Sequence, residues 1–391
     1  MNYILSDGNH REDLFPFTFT RPVSGIRVGI LTISEKWEKW LKASLSFQTA
    51  DYLSEKFPLS VAAKNTVING SYLPNRALVE AIRTLKMGEA LIGNDSYIAY
   101  VTENPETGFE ESAYTAIPFD GEVLTIKNTW DIFSKNGEAL QADFDLLTEG
   151  RTSQPIPETN QIKCPENIFI EEGATVEFSI LNASTGPIYI GKNALVMEGC
   201  KIRGGFALCE SAIVKMGAKI YGPTTAGPGC KLGGEVNNAV LFANSNKGHD
   251  GFLGNSVLGE WCNIGADTNT SNLKNNYAPV RLWNYKTEGF AKTGLQFCGL
   301  MMGDHSKCGI NVMFNTGTVV GVSANIFGSG FPRNFIPSFS WGGPAGYTTF
   351  RTNKAFEVAE AMMKRRNMEF NDTEAKILEH VFELTEKWRN Y

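Results

Sequence analysis

Apolar residues between Ile190 and Val236 keep a regular beat. Ile190, Val196, Ile202, Leu208, Val214, Ile220, Ala226 and Leu232 recur every sixth position without a slip. Four places after each stand Ala194, Cys200, Phe206, Ala212, Ala218, Thr224, Cys230 and Val236, most of them small. A period of six matches neither a helix (~3.6) nor an alternating strand (~2). It predicts a chain coiling in flat turns, each short strand filling one side of a prism and stacking on the turn below, which is the parallel β-helix pattern. Phe206 breaks the small-residue rule and predicts a bulge or loop there.

The pattern continues on both sides in shifted register. Upstream are Ile170 to Ala174 and Val176; downstream are Leu258 to Cys262, Ile264 to Thr268, and then Met302, Cys308, Phe314, Val320 and Ile326. Each shift predicts an excursion from the coil, the largest between Leu273 and Gly299, and excursions from a solenoid commonly build its binding face. The coil is expected from about Ile168 to Phe331, inside a domain of residues 160–345.

Before the coil the pattern changes to one of helices and strands. Tyr3-Ile4-Leu5 is a short apolar run that ends in the turn signal Ser6-Asp7-Gly8-Asn9. Residues 34–65 look helical from Trp37, Trp40, Leu41 and Leu45, and 75–86 from Leu78, Ile82 and Leu85 behind an Asn75 cap. Their alternation with apolar runs at 90–93 and 121–126 predicts an α/β domain over residues 1–155, with a closing helix from Asn128 to Leu147 and a linker at 152–157. After the coil, the Phe-, Pro- and Gly-rich run 332–346 is expected to lie along another surface. Two helices, about 353–367 and from Asp372, then fill 346–391.

The 391 residues are 42% hydrophobic and 20% charged, with a net charge of −6, so a nucleic-acid-binding surface is not implied. No basic-apolar leader and no run of about 20 apolar residues is present, which points to a cytoplasmic protein with no membrane span. Seven cysteines occur without a C-x-x-C pair, and Cys200, Cys230 and Cys262 fall in small-residue slots of the repeat, where each is expected to act as a buried hydrophobe.

Candidate chemistry follows from position. Gly8 in a strand-ending turn, followed by Arg11 and Arg21, can present backbone N–H groups and guanidinium charge to a phosphate; pairing of those arginines with nearby carboxylates is the other reading. Asp95 closes the run Ile92-Gly93-Asn94-Asp95, at the strand end where α/β sheets bind ligands, and is a candidate Mg²⁺ ligand or a solvated turn residue. Among four histidines none is paired at short spacing, which argues against a histidine metal site in the coil. His305 is expected as a solvated turn residue. His249 opens a glycine-bearing excursion between two coil registers, with Asn263 and Asn272 downstream.

These residues resemble the GlmU-type bifunctional enzymes, and more closely a Bacteroidetes-type branch of GlmU-like sugar nucleotidyltransferases. Lys247-Gly248-His249-Asp250-Gly251-Phe252-Leu253-Gly254 is similar to the family's His-x-x-Tyr-Leu-Gly-Asp segment, and Asn263 to Thr268 to its Asn-Ile-Gly-Ala-Gly-Thr. Asn272 falls at the family's Thr-x-x-Asn asparagine. Phe252 replaces a tyrosine that binds the sugar phosphate, and Asp267 a glycine beside the coenzyme A path. Gly8-Asn9-His10-Arg11 with Arg21-Pro22 is similar to a Gly-x-Gly-Thr-Arg…Pro-Lys nucleotide loop, lacking the second glycine and carrying Val23 in place of the lysine.

The resemblance implies a left-handed parallel β-helix working as a homotrimer with acetyl-CoA, in sugar-nucleotide and cell-wall biosynthesis. His249 would be the general base, Asn263, Asn272 and Phe252 would bind the amino sugar phosphate, and Gly265 and Ala266 the acetyl-CoA. Gly8, Arg11 and Arg21 would hold a nucleotide for Mg²⁺-dependent transfer to a sugar 1-phosphate, with a binding or docking module as the alternative for that domain. The apolar stretch Phe335 to Trp341 also predicts burial between copies.

Overall fold

Contacts within the computed structural model, which describes residues 2–94 and 96–391, divide the chain into two units. The first comprises Met1–Leu14, Thr18–Ile26 and Leu31–Asn128; the second comprises Phe15–Phe17, Arg27–Ile30 and Thr129–Tyr391.

In the first unit the apolar runs form a six-stranded sheet. Strands β1 (Asn2–Ser6), β2 (Leu45–Gln48), β3 (Asn65–Asn69), β4 (Glu89–Ile92), β5 (Tyr97–Thr102) and β6 (Thr115–Pro118) take the order β2-β1-β3-β5-β4-β6. All neighbours are parallel except β5, which runs against β3 and β4. Ile4 and Leu5 of the central β1 are both fully buried, as expected of a strand covered on both faces.

Helix α1 (Ile33–Leu41) starts at a capping box in which Thr32 accepts from the Glu35 N–H and Glu35 accepts from the Thr32 N–H. It stops where Lys42 turns left-handed, with φ 55°. The helix expected over 34–65 is therefore confined to its first turns; Leu45-Ser46-Phe47-Gln48 pairs with β1 as a strand instead. Helix α2 (Arg76–Thr84) forms behind Asn75, whose side chain accepts from Leu78 N–H at 2.9 Å. The strand expected at 121–126 reduces to one bridge, Thr125 with Tyr72, because its neighbours Asp120, Gly121 and Glu122 do not pair.

The second unit is a three-sided parallel coil. One side stacks Ile170, Ile190, Leu208, Ala226, Leu241, Leu258, Met302, Val320 and Ile336 in register. A second side stacks Ile162, Leu181, Ile202, Ile220, Val236 and Leu253. The third carries Val176, Val196, Val214, Leu232 and Lys247, and a bridge from Asn246 through Asn263 to Lys307 continues it to Ile264, Cys308 and Ile326. All of these except the half-buried Ile162 are buried, so three columns of side chains fill the interior.

Small residues lie under the corners: Ala194, Ala212, Ala218, Cys200 and Cys230 are buried where the chain bends. Burial pushes the Cys230 thiol up to about 12, so it remains a neutral hydrophobe. Phe206 corrects an expectation. It marks no bulge but begins the strand Phe206–Leu208, paired with Ile188 below and Thr224 above.

Two helices precede the coil, α3 (Asp131–Ser134) and α4 (Asn136–Thr148), where one was expected; Lys135 separates them, and both fall in the second unit. Buried Asn136 donates to Thr225 Oγ1 at 3.2 Å and accepts from Gly29 N–H at 2.7 Å. The excursion at 273–297 is closed at its neck by a Leu273–Phe297 bridge and contains a hairpin of Arg281–Asn284 with Gly289–Lys292.

The run 332–346 does not lie along another surface. It supplies the coil's last turn, with Ile336 and Phe339 fully buried within this chain and Trp341 packed against Phe327 and Phe350. The burial of Ile336 and Phe339 therefore needs no second copy, whereas Trp341 stays 40% exposed. There the chain reverses, and Gly346–Thr349 pairs antiparallel with Ser340–Gly343. Helices α5 (Thr352–Lys364) and α6 (Asp372–Leu384) follow, with Ala359, Met363, Ile377, Leu378 and Val381 buried and Leu384 exposed. No described helix is long and apolar enough to cross a membrane.

Leu208→Ala should open a cavity between Ile190 and Ala226 and cost about 2–5 kcal/mol. A lowered urea midpoint for the coil, followed by circular dichroism, is the expected observation.

Candidate functional site

In the first unit, Ser6, Asp7 and Gly8 at the carboxyl end of β1 and Gln48 and Thr49 at that of β2 line a cavity of about 400 Å³. Ligands of open α/β sheets bind outside the carboxyl ends of the strands. Gly8 has φ +55°, and a Cβ there would lie 2.5 Å from Asn69 Oδ1, so only glycine fits. Tyr97, Tyr100 and Phe109 form an aromatic wall, with the Phe109 ring 4.4 Å from Tyr97 and 5.2 Å from Tyr100.

Arg11 also lines this cavity, but its charge is met from within. It donates to Asp7 Oδ2 at 2.7 Å, Thr49 Oγ1 at 3.1 Å and the Tyr52 hydroxyl at 2.9 Å. Arg21 is buried, with its side chain against Gly25, and does not line the cavity. The structure thus brings Gly8 and Arg11 together at the cavity, and Arg21 stands behind it, its carbonyl oxygen accepting from Arg11 Nη1 at 3.4 Å.

Asp95 lies outside the described residues. Asp7, the carboxylate that does line the cavity, accepts from Arg11 and Thr49 on one oxygen and from Val23 N–H on the other. Among the described residues no group of three or more His, Cys, Asp or Glu could hold a metal ion.

In the second unit, His249 lies at a corner of the coil. The residues 248–251 join Asn246–Lys247 to Phe252–Leu258 in four steps, the same length as 197–200 between Leu195–Val196 and Lys201–Arg203. The expected excursion is therefore an ordinary corner, and its imidazole is exposed. It sits over Gly233 and Gly234, where a built Cβ on Gly234 would meet the His249 carbonyl oxygen at 2.7 Å.

The corner 265–267 stacks one turn above, since Asp267 N–H donates to Asp250 O at 3.0 Å. Above that, Asn311 N–H donates to Ala266 O at 2.9 Å. Gly265 N–H is committed to Cys308 O at 3.2 Å, whereas Ala266 N–H has no acceptor among the described residues. His249, Gly265 and Ala266 therefore share one edge of the prism. Asn263 ends the strand side of that edge and accepts from Asn246 Nδ2 at 3.3 Å.

Phe252 and Asn272 sit on the adjoining side. A Cβ at Gly254 would lie 2.5 Å from the Phe252 ring and 2.7 Å from Asn272 Nδ2, so both flank that glycine. Asn272 Nδ2 donates to Asn255 Oδ1 at 2.8 Å. His305, expected in solvent, is buried and stacks on Trp261 with ring centroids 6.3 Å apart, because the corner folds it over the indole.

Two features carried no earlier signal. Lys247 fills an inward slot of the coil, its ammonium donating to the carbonyl oxygens of Gly233 (3.3 Å), His249 and Asp250 (3.2 Å). Lys215 and Lys231 lie beside Gly248, and Arg366 from the tail donates to Gly229 O at 2.6 Å and Asn246 Oδ1 at 3.1 Å. Desolvation pushes the Lys231 ammonium down, with Arg366, Lys215 and Arg365 adding like-charge repulsion. Lys247 comes fifteen residues after Leu232 where the preceding turn, Val214 to Leu232, takes eighteen, so the period does not point to it.

Residues 3–152 match the family model for sugar nucleotidyl transferases. The bifunctional protein GlmU of Methanocaldococcus jannaschii is 36% identical over 87 residues, 22% of this chain and 21% of that protein. GlmU of Methanococcus vannielii is 27% identical over 217 residues, 56% of this chain and 46% of that protein. The uncharacterized acetyltransferase YaiX of Escherichia coli is 28% identical over 143 residues, 36% of this chain and 61% of that protein. The chain thus spans between 21% and 61% of the length of these curated relatives. Among solved structures, the polySia-specific acetyltransferase NeuO aligns over 54% of this chain and 94% of its own, at 14% identity and a TM-score of 0.28. The sequence similarity of the chain is accordingly GlmU-like, with a sugar nucleotidyl transferase match before the coil.

Proposed function

We propose that this protein is a transferase of sugar-nucleotide biosynthesis whose coil is an acyl-CoA-dependent N-acyltransferase acting on an amino sugar phosphate. The observation that carries this reading is the shared edge on which the exposed His249 imidazole lies one turn below the free Ala266 N–H. Similarity to GlmU proteins and to a named acetyltransferase supports it.

In the reaction the amine nitrogen attacks the thioester carbon, a C–N bond forms and the C–S bond breaks. His249 takes the amine proton, which a neutral imidazole can do near neutral pH, and the departing thiolate ends as free thiol after protonation. Negative charge on the carbonyl oxygen is met by a backbone donor, and Ala266 N–H is the available one, since Gly265 N–H is committed within the coil. Gly265 is needed for close stacking of the turns, because a Cβ there would meet Gly309 O of the next turn at 2.2 Å, and with Ala266 it is assigned to the acetyl-CoA path on the GlmU resemblance alone. Asn263 and Asn272 orient the sugar and hold the attacking geometry. Phe252 offers the sugar a ring in place of a phenol. Lys215, Lys231, Arg365 and Arg366 supply positive charge for phosphate groups.

The functional division is taken as 1–155, 160–345 and 346–391. A homotrimer is supported by apolar side chains left exposed on the coil, Ile180, Met216 and Ile310 at 40%, 69% and 68%.

For the first unit, the family match supports binding of a nucleoside triphosphate or sugar nucleotide at Gly8 and Arg11, and transfer to a sugar 1-phosphate. A second reading, a sugar-nucleotide-binding or docking module without transfer, is favoured by the Arg11–Asp7 ion pair at 2.7 Å. It neutralises a charge that phosphoryl chemistry would use.

His249→Ala should lower kcat by about 10²–10⁴-fold in an acetyl-CoA and glucosamine 1-phosphate assay that follows free thiol. Retention of more than about half the activity would remove His249 as the base. Light scattering should give three chain masses for both proteins, and a monomer mass would rule out the homotrimer. Calorimetry should detect UDP-N-acetylglucosamine binding to the intact chain. Pyrophosphate release from UTP, N-acetylglucosamine 1-phosphate and Mg²⁺ would select transfer over docking.

A further inference from the structure

The third side of the coil stacks eight inward residues, and seven are apolar or thiol: Val176, Val196, Val214, Leu232, Ile264, Cys308 and Ile326. The eighth is Lys247, set between Leu232 and Ile264 and only 1% exposed. An aliphatic side chain would fill this slot without the cost of removing an ammonium from water, so coil stability does not explain the lysine.

Its partners point to another role. One acceptor, Gly233 O, belongs to the turn below; the other two, the carbonyl oxygens of His249 and Asp250, belong to the corner that carries the imidazole. That corner is bounded by Gly248 and by Gly251, at φ +107°, and glycines leave a backbone freer than other residues do. Among the described residues its backbone is held from above by Asp267 N–H to Asp250 O, and from below only at its two ends, by Gly233 N–H to Lys247 O at 2.6 Å and Glu235 N–H to Gly251 O at 3.2 Å. The ammonium therefore ties a glycine-flanked corner to the turn beneath it, from inside the coil.

We infer that Lys247 is a positioning residue of the acyl-transfer site, a buried ammonium that fixes the backbone of His249 and so the place of its imidazole. The inference rests on the reading of His249 as the base. Lys247 touches no substrate; it acts by keeping the base in attacking geometry, where a displacement of about 1 Å can cost ~10²-fold in rate.

The test is a cycle on the full chain: Lys247→Met and Lys247→Gln, each alone and combined with His249→Ala. Lys247→Met should lower kcat about 10–100-fold while KM for acetyl-CoA changes less than about twofold. In the His249→Ala background it should change kcat by less than about twofold, because the group it positions is gone. Near-wild-type kcat in Lys247→Met, or an equal loss in both backgrounds, overturns the positioning role. Failure of both Lys247 variants to fold overturns it too, by making the ammonium a prop of the coil itself. An active His249→Ala sinks the base assignment and this inference with it, whereas an inactive His249→Ala beside an active Lys247→Met sinks the inference alone.

A second readout needs no activity. Desolvation drives the Lys247 ammonium down from its ordinary 10.5 to about 8, although Asp250, Cys308 and Asp267 pull it up. Between those values the unfolded chain holds a proton that the folded chain lacks, so this group makes stability rise with pH across the interval. In urea melts the stability of Lys247→Met relative to wild type should therefore fall as pH goes from about 7 to about 10. A difference independent of pH means a hydrated ammonium and overturns the clamp.

Discussion

The second unit depends on side chains meeting their own kind one turn above and below. Its strands are two to seven residues long, too short to hold a sheet by hydrogen bonds alone. What holds them is the continuity of three interior columns, each position removing apolar surface from water on both its neighbours. That requirement binds only the inward residues. Corners and outward positions are left to vary, which is why the candidate chemistry lies at corners while the interior stays nearly uniform.

The columns were largely legible in the sequence, and for a physical reason. A residue that must match its neighbours above and below imposes a period, and six-residue spacing follows from three sides to a turn. The period disappeared between Leu232 and Ile264, and the corner of His249 was read as an excursion. The structure keeps the column there and places a lysine in it. A search for aliphatics loses a turn when its inward residue is charged, because the charge is tolerated through three carbonyl contacts that no local pattern encodes.

The first unit was less legible. Helix α1 was found from its apolar stripe, but its end is set by the left-handed Lys42, and Leu45–Gln48 became a strand by pairing with β1. Both depend on tertiary partners. Gly8 was found as a turn signal, and its cavity confirms why glycine stands there. The state of Arg11 was not legible, since its partners Thr49 and Tyr52 come from distant parts of the chain and draw its guanidinium away from open solvent. The 332–346 run is expected along another surface, but it is itself the coil's last turn, paired with the turn before it.

The reversal at Gly343–Gly346 has a consequence for growth of the coil. A stack of parallel turns has two raw ends, and each offers unpaired N–H and C=O groups on which the next identical turn could template. The chain instead folds Gly346–Thr349 back against Ser340–Gly343, in the direction opposite to every turn before it. That strand occupies the outer edge of Ser340–Gly343, where a further parallel turn would otherwise add. On this side the end of the solenoid is thereby covered, which removes one edge on which a second copy could template.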